Sequence, residues 1–423
     1  MRLVEKHIIS KSHELWAECD RVCFATKNLY NYSLYQVNDH YKKTKIYKNY
    51  NKLVNELASQ SQVDYVRLPA KISQQVLMKL DQNYKSFFAS LKDYKLHPEK
   101  YKSEPKPPQY LPIVEGRYIA VYTEQAISKT ELKKHGFIKL SQTEIRIKDI
   151  NKSRLVRQVQ VVPLNTGEYK IVVIYDKQEP ALIKNKRFAG IDIGLNNLAA
   201  VVTNTELKPF IINGRPLKSV NQHYNKNLAK QKSELPHFLN KGGVKKQRSY
   251  SKKIRRLTHK RNCRVDDLLH RASHQLVQEL KQANISIVVI GKNKGWKDAI
   301  NIGGKNNQKF VSTPHSKFID MTVYKLRMEG IHCITREENH TSKCSFLDGE
   351  DIKQHEVYQG KRIKRGLFQT SLGFRWNADC NAAANILKKE IPDAFKAYGM
   401  MGTVVSPVII NPYKRTRSHK IAA

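Results

Sequence analysis

Acidic residues are in short supply in this chain of 423 residues. Asp and Glu together number 37 against 76 Lys and Arg, leaving a formal net charge of +39. Long apolar runs are absent, which argues against a membrane-spanning helix, and the N-terminus MRLVEKHIISK lacks the core of a signal peptide. The six cysteines (Cys19, Cys23, Cys263, Cys333, Cys344, Cys380) show no paired spacing, which excludes a disulfide framework and fits a reducing compartment. No internal repeat is visible. These absences lead us to expect a soluble intracellular protein, cytoplasmic in a prokaryote and nuclear in a eukaryote.

What is present is positive charge, spread over the whole chain. Self-repulsion on this scale destabilises a compact state, so a polyanion that neutralises it is the natural partner. Nucleic acid fits better than an anionic membrane surface, and a large nucleic acid better than a short one. Neither a membrane nor a small-molecule substrate is expected as a partner. With 40% hydrophobic residues the chain is long enough for two or more cored domains.

The first ten residues read as a strand. From Ser12 to about Tyr41, Leu15, Trp16, Cys19, Val22, Cys23, Leu29 and Tyr30 share one helical face, and a second helix is expected from Pro69 to about Tyr94. The stretch KSEPKPPQYLP (102–112) is an extended linker. Strands then dominate as far as about Tyr175, ending in a hairpin with Asn165-Thr166-Gly167 at its tip. This pattern predicts a small β-barrel with helices inserted after its first strand. From about Lys184 strands and helices alternate, as in an α/β domain. A basic helical stretch is expected over 221–283. Its apolar face includes Ile254, Leu257, Val265, Leu268, Leu269, Ala272, Leu276 and Leu280. Lys253, Arg255, Arg256, Lys260, Arg261 and Arg264 on the other faces are candidates for phosphate contact, because few acids are nearby to balance them. Tyr30, Tyr32, Tyr35 and Tyr41 are candidates for stacking on bases.

Within FAGIDIGLNNLAAVV (188–202) a single carboxylate, Asp192, interrupts an otherwise buried strand. Much later, Asp379 opens the helix NADCNAAANILKKEI, where the helix dipole favours an anion. Either acid alone could be a turn or capping residue. Together, acids gathered from distant elements suit Mg²⁺, which prefers carboxylate oxygens and can assist phosphodiester hydrolysis.

GIDIGLNNLAAV and NADCNAAANI resemble the first and third RuvC motifs of TnpB, the transposon-encoded RNA-guided nuclease family related to type V CRISPR effectors and to Fanzor. LTHKRNCRVDDLLHRASHQLV and TSKCS (341–345) resemble that family as well. The resemblance is specific over about 187–389 and only architectural before that. It implies an α/β RNase H-like (RuvC) nuclease domain at 184–338 and 375–423, with a nucleic-acid-binding insert at 339–374. It also implies a wedge-like β-barrel at 1–11 and 102–183, carrying a helical recognition region at 12–101. The implied activity is Mg²⁺-dependent cleavage of target DNA, directed by a guide RNA to a site beside a short motif, with guide RNA and target DNA as partners.

The sequence departs from the family pattern at two places. The second RuvC motif normally ends its strand in Glu, whereas IVVIGKN carries Gly291 there. In an RNase H-like sheet the next strand is a parallel neighbour about 5 Å away, and here it ends ITREENHTSK. Glu337 or Glu338 is therefore expected to join Asp192 and Asp379 as a catalytic metal ligand. Alternation along a strand points the two glutamates to opposite faces, and the sequence leaves open which of them serves. The family also usually carries two CxxC pairs in this region. Cys344 is followed by Ser-Phe-Leu-Asp, so no structural zinc is expected, while Lys361, Arg362 and Arg365 of GKRIKRGLF are still expected to contact nucleic acid.

Three other readings compete, one of them a DDE-type transposase, which the hairpin-embedded GIDIG and the late NADCNAAANI fit less well than RuvC. A nuclease-inactive, RNA-guided DNA-binding repressor would need only the missing Glu. An actin-like or sugar-kinase-like ATPase also begins GIDxG, but it needs a second glycine-rich phosphate loop, for which only Gly303-Gly304 in a Lys/Asn-rich loop is available. Nucleic-acid affinity should fall linearly on a log–log plot against salt, with a slope of roughly −0.9 per duplex phosphate neutralised. A titration insensitive to salt would contradict the charge argument.

Overall fold

The computed structural model describes residues 1–149, 155–239, 245–247, 251–293, 303, 307–308, 312–396 and 406–412. The chain divides into two compact units, Met1–Gln178 and Glu179–Ala423.

In the first unit, β1 (Arg2–Ile9) pairs antiparallel with β6 (Tyr169–Asp176), which pairs with β5 (Leu155–Pro163), itself beside β2 (Ala120–Thr123). The β5–β6 hairpin turns at 164–168, where Gly167 takes the left-handed φ of +82°. β3 (Phe137–Lys139) and β4 (Arg146–Lys148) form a separate ribbon. Among the described residues no pairing closes the four strands on themselves, so the expected barrel takes the form of an open sheet with a ribbon.

Between β1 and β2 lie α1 (Trp16–Thr44), α2 (Tyr50–Ser59), α3 (Val63–Val66) and α4 (Ala70–Leu96). α1 buries Cys19, Val22, Cys23, Leu29, Tyr30 and Leu34 in the same core as Ile72, Val76, Leu77 and Leu80 of α4. The sequence reading missed α2, α3 and α5 (Lys129–His135); α3 and α5 are too short to show a stripe, but α2 buries Leu53 and Leu57, and side-chain caps precede all three. Asn49 accepts from Lys52 N before α2. Ser128 accepts from Glu131 N before α5, and Gly136 closes α5 with a φ of +68°. The proline-rich linker is extended and pinned to α1. Asn31 both accepts from Leu111 N and donates to Leu111 O at 2.9 Å, and the buried Lys27 donates to Ile113 O at 2.6 Å.

The second unit is built on a six-stranded sheet in the order β13-β12-β7-β8-β9-β17. β7 (Phe188–Asp192), β8 (Asn197–Thr203) and β9 (Phe210–Asn213) form an antiparallel meander. β12 (Ile287–Gly291) runs parallel to β7, β13 (His332–Arg336) parallel to β12, and β17 (Val408–Ile410) parallel to β9. This is an α/β arrangement built on a mixed sheet. α6 (Arg215–Ser233) ends before Pro236, and the ribbon of β10 (His237–Leu239) and β11 (Lys245–Gln247) separates it from α7 (Lys252–Gln282). The single helical stretch expected over 221–283 is thus two helices, because proline has no amide hydrogen to continue the ladder.

α7 and α8 (His315–Met328) cover one face of the sheet, packing Leu268, Leu269, Leu276 and Phe318 on Ala189, Ile191, Val201 and Val288. α9 (Ala378–Glu390) covers the other, against Val202 and Val289. Its alanines permit a close approach: a Cβ on Gly190 of β7 would lie 2.2 Å from the Ala383 carbonyl oxygen. The insert contributes a small antiparallel sheet, β14 (Lys361–Lys364), β15 (Leu367–Gln369) and β16 (Arg375–Asn377). Among the described residues no helix is long and apolar enough to cross a membrane.

Because α9 lies directly on β7 at Gly190, Gly190→Ala should push helix and strand apart and destabilise the second unit by about 1–3 kcal/mol. Urea denaturation should show a lower midpoint with an unchanged slope, and an unaltered midpoint would refute the contact.

Candidate active site

β7 ends at Asp192. Ile191 pairs with Ile290, so the next residue of β12, Gly291, lies level with Asp192 at the carboxyl edge of the sheet, and Gly291 in turn sits beside Arg336 of β13. Two residues past Arg336, the side chain of Glu338 reaches over Gly291. A Cβ built on Gly291 would lie 2.2 Å from Glu338 Oε1 and 2.6 Å from its Cγ. The space that a side chain at 291 would need is filled by a carboxylate from the neighbouring strand.

Asn293 holds Glu338 in this pose. Its Oδ1 accepts from Glu338 N at 2.9 Å and its Nδ2 donates to Glu338 Oε2 at 3.2 Å. Glu338 Oε1 is buried with no hydrogen-bond partner among the described residues, and burial pushes the carboxyl pKa up to about 7. Glu337 is exposed, and its carbonyl oxygen accepts from Lys389 Nζ at 3.1 Å. Of the two candidate glutamates, the structure brings Glu338 to Asp192.

Asp192 keeps only part of its surface in solvent, and its pKa is held well above the usual carboxylate range. Burial is the main cause, followed by the negative charges of Glu338 and Asp379, while the Arg362 guanidinium works the other way. Asp379 stands in the first turn of α9. Asn377 caps that helix through Oδ1, which accepts from Asp379 N at 2.9 Å and Cys380 N at 3.1 Å. The Asp379 carboxylate accepts from Asn197 Nδ2 at 2.6 Å and Arg362 Nη2 at 2.9 Å.

An orphaned, buried carboxylate oxygen among mutually repelling acids fits a divalent cation, which would supply oxygen-loving positive charge. Asp192, Glu338 and Asp379 are the residues that would hold it. Among the described residues no three His, Cys, Asp or Glu side chains already stand close enough to enclose an ion. Binding therefore calls for side-chain rotation, with Arg362 sharing or yielding Asp379.

In the insert, the loop after Cys344 is held by hydrogen bonds. Glu350, only 4% exposed, accepts from Ser345 N at 2.6 Å and Gln359 N at 3.1 Å, and the Cys344 thiol donates to Lys353 O. Two asparagines of α9, unnoticed in the sequence, bind the same segment. Asn381 accepts from Phe346 N and donates to Cys344 O, and Asn385 donates to Thr341 O and Cys344 O. The sequence signal was two polar residues at i and i+4 on the buried face of an alanine-rich helix. Asn197 and Asn293 were missed too, although each follows closely on a strand end already picked out for its chemistry.

The basic candidates divide. Lys253, Arg255, Arg256, Lys260 and Arg264 of α7 and Lys361 and Arg365 of the insert are exposed. Arg261 is not available in the way expected. It donates to Asn221 Oδ1 and Ser312 O, and its guanidinium lies 5.5 Å from the centre of the Tyr224 ring, bracing α6 against α7. Arg362 is engaged by Asp379. Tyr30 is buried and stacked on Tyr118, which removes it as a base platform, whereas Tyr35 and Tyr41 are exposed. Gly304, which the ATPase reading needs, lies outside the described residues, as does most of the loop after Asn293.

Two family models match the chain: a probable transposase, OrfB_IS605, over residues 170–297, and the Cas12f1-like TNB domain over residues 315–386. A TnpB-like protein, ORF457 of Acidianus two-tailed virus, is 25% identical over 211 residues, covering 49% of this chain and 43% of that protein. The chain thus matches less than half the length of this curated relative. Among solved structures, a Cas12f1–sgRNA–target DNA complex is similar at a TM-score of 0.34 and 17% identity, covering 91% of this chain and 98% of that one. CasPhi-2 (Cas12j) bound to crRNA is similar at 0.36 and 12%, covering 93% and 98%.

The Glu338 carboxyl holds its proton up to about pH 7 in the folded protein, whereas its ordinary value is 4.5. The folded state binds the extra proton between those values, so the stability Glu338 contributes declines as pH rises through that window. Denaturation in EDTA should show this decline in the wild type and a flatter profile in Glu338→Gln. Equal profiles would show that Glu338 titrates normally.

Proposed function

We propose that this TnpB-family protein is a transposon-encoded, RNA-guided endonuclease that hydrolyses target DNA beside a short recognised motif. The observation that carries the reading is the carboxylate of Glu338 lying over Gly291, next to Asp192. It restores an acid at the place where the family's second motif would have provided one. Asp192, Glu338 and Asp379 are the proposed Mg²⁺ ligands, and bound Mg²⁺ would supply Lewis acidity toward a phosphodiester. Asn293 orients Glu338, and Asn197 and Arg362 orient Asp379. The exposed bases of α7 and the insert, together with the chain's +39 charge, would hold guide RNA and the RNA–DNA duplex by their backbones, leaving sequence to base pairing. In this reading the strands of the first unit act as the wedge and α1–α4 as the recognition region, with 339–374 as the insert that meets the substrate.

A second reading is a nuclease-inactive, RNA-guided repressor. It draws on Gly291 itself and on the lack, among the described residues, of three ligands already gathered around a metal position. The two readings part on cleavage.

The protein should copurify with RNA, and sequencing of that RNA defines a matched target for assay against a library of flanking motifs. In Mg²⁺ the wild type should cut this target. Asp192→Ala and Glu338→Ala should abolish cutting without loss of binding, and Glu337→Ala should leave it within about three-fold. Asn293→Ala, which removes an outer-shell support, should slow it about 10- to 100-fold. A wild type that binds the matched target and never cuts it supports the repressor, and full activity in Glu338→Ala removes Glu338 from the site.

A further inference from the structure

Among the described residues the buried histidine is His315, at 0% exposure in the first turn of α8. Burying an imidazole costs desolvation unless its nitrogens find partners. His315 Nε2 stands 3.2 Å from the carbonyl oxygen of Gly194. A carbonyl oxygen only accepts, so Nε2 is the nitrogen that carries a hydrogen and donates it. The ring is mounted on a fixed base. His315 N donates to Thr313 O at 3.0 Å and Phe318 N to Pro314 O at 3.1 Å, and Phe318 is packed in the same core as Ile191 and Val201. A leucine of similar volume would pack here without making the bond to Gly194, so packing alone does not call for a histidine.

Gly194 lies in the turn from β7 to β8, two residues after Asp192 and three before Asn197. The turn is tight, since a Cβ on Gly194 would lie 2.6 Å from the Asn197 carbonyl oxygen. A shift of Gly194 is therefore felt on both sides, by Asp192 along the chain and by Asn197 through this contact. Asn197 in turn donates through Nδ2 to the Asp379 carboxylate at 2.6 Å. Asn196 is held separately. Its carbonyl oxygen accepts from Gly214 N at 2.8 Å and its Oδ1 from Lys218 Nζ at 3.1 Å, which ties it to the start of α6. The bond from His315 ties the half of the turn next to Asp192 to the start of α8.

We infer that His315 is a positioning residue for the carboxylate site. By holding the Gly194 carbonyl it fixes the β7–β8 turn, and so the placement of Asp192 and of Asn197, the residue that orients Asp379. Two of the three proposed metal ligands are thus set by one buried hydrogen bond that neither of them makes. The effect of His315 on cleavage rests on the nuclease reading above, whereas its effect on the turn does not.

The test uses the full-length protein with its copurified RNA. It compares His315→Leu, which removes the donor, with His315→Gln, whose side-chain amide can donate from the place of Nε2. Hydrogen–deuterium exchange in EDTA reads the turn directly. Exchange over 193–198 should rise about 2- to 12-fold in His315→Leu, the equivalent of one net hydrogen bond, and stay near wild type in His315→Gln. Exchange over 318–326 should be unchanged in both, which separates release of the turn from loosening of the whole core. Affinity for the Mn²⁺ ion that is lost in Asp192→Ala, read by water-proton relaxation, should fall about 10-fold or more in His315→Leu, and so should the single-turnover rate on the matched target. Both should lie within about three-fold of wild type in His315→Gln, with target affinity unchanged throughout. Equal exchange of the turn in wild type and His315→Leu overturns the inference. So does faster exchange over 318–326 as well, an equal loss in both variants, or a freed turn with no loss of Mn²⁺ affinity or rate. A wild type that binds Mn²⁺ without cutting removes the nuclease proposal and leaves Mn²⁺ affinity to decide this one, and a wild type that does neither removes both.

Discussion

Like charges crowded at one edge of a sheet repel, and the second unit is organised around holding three of them there. Asp192 is brought to that edge by β7, Glu338 by the turn after β13, and Asp379 by the first turn of α9. Desolvation raises the cost of every charge in the group, and for that reason the pKa values of Asp192 and Glu338 lie above their ordinary values. The surrounding polar groups offset part of this cost. Asn293 donates to Glu338, Asn197 and Arg362 donate to Asp379, and the α9 N-terminus adds its dipole.

Two glycines make the geometry possible, each because a Cβ would collide. At Gly190 the collision would be with the backbone of α9, so the absence of a side chain sets how closely the helix bearing Asp379 lies on the strand bearing Asp192. At Gly291 it would be with Glu338 itself. The second case shows how a carboxylate carried by one strand can occupy the space that a side chain of its neighbour would need. Parallel neighbouring strands end at the same edge, so a long side chain from one can cover a residue of the other, provided that residue has no side chain of its own.

In the insert, the described segment is held by a buried carboxylate, Glu350, and by two asparagines of α9, Asn381 and Asn385. Together they satisfy backbone groups at Thr341, Cys344, Ser345, Phe346 and Gln359. A buried polar network of this kind is stable only when its members are nearly all paired, and most of these are. The segment leading into the insert's sheet is thereby fixed to the helix that carries Asp379, and the Arg362–Asp379 pair ties the sheet itself to that helix.

Much of this was legible from the residues alone. The charge balance implied a polyanion, the 3.6-residue stripes marked α1, α4 and most of α7, and the lone acid in FAGIDIG stood out within a buried strand, which the structure ends at that residue. Each of these is a local property, carried by periodicity or by the cost of placing an acid among apolar neighbours. The shorter helices α3 and α5 escaped because one or two turns show no stripe, whereas α2, with Leu53 and Leu57 on its buried side, and the break between α6 and α7, marked by Pro236, were legible and were passed over. The choice between Glu337 and Glu338 was beyond the sequence, since it depends on which side chain faces β12 after the strand has ended. The engagement of Arg261 between α6 and α7, and of the exposed Arg362 by Asp379, was beyond it as well. A basic residue looks the same in a sequence whether it faces solvent or an internal partner, and only the packing of Asn221, Ser312 and Asp379 around these two decides the matter.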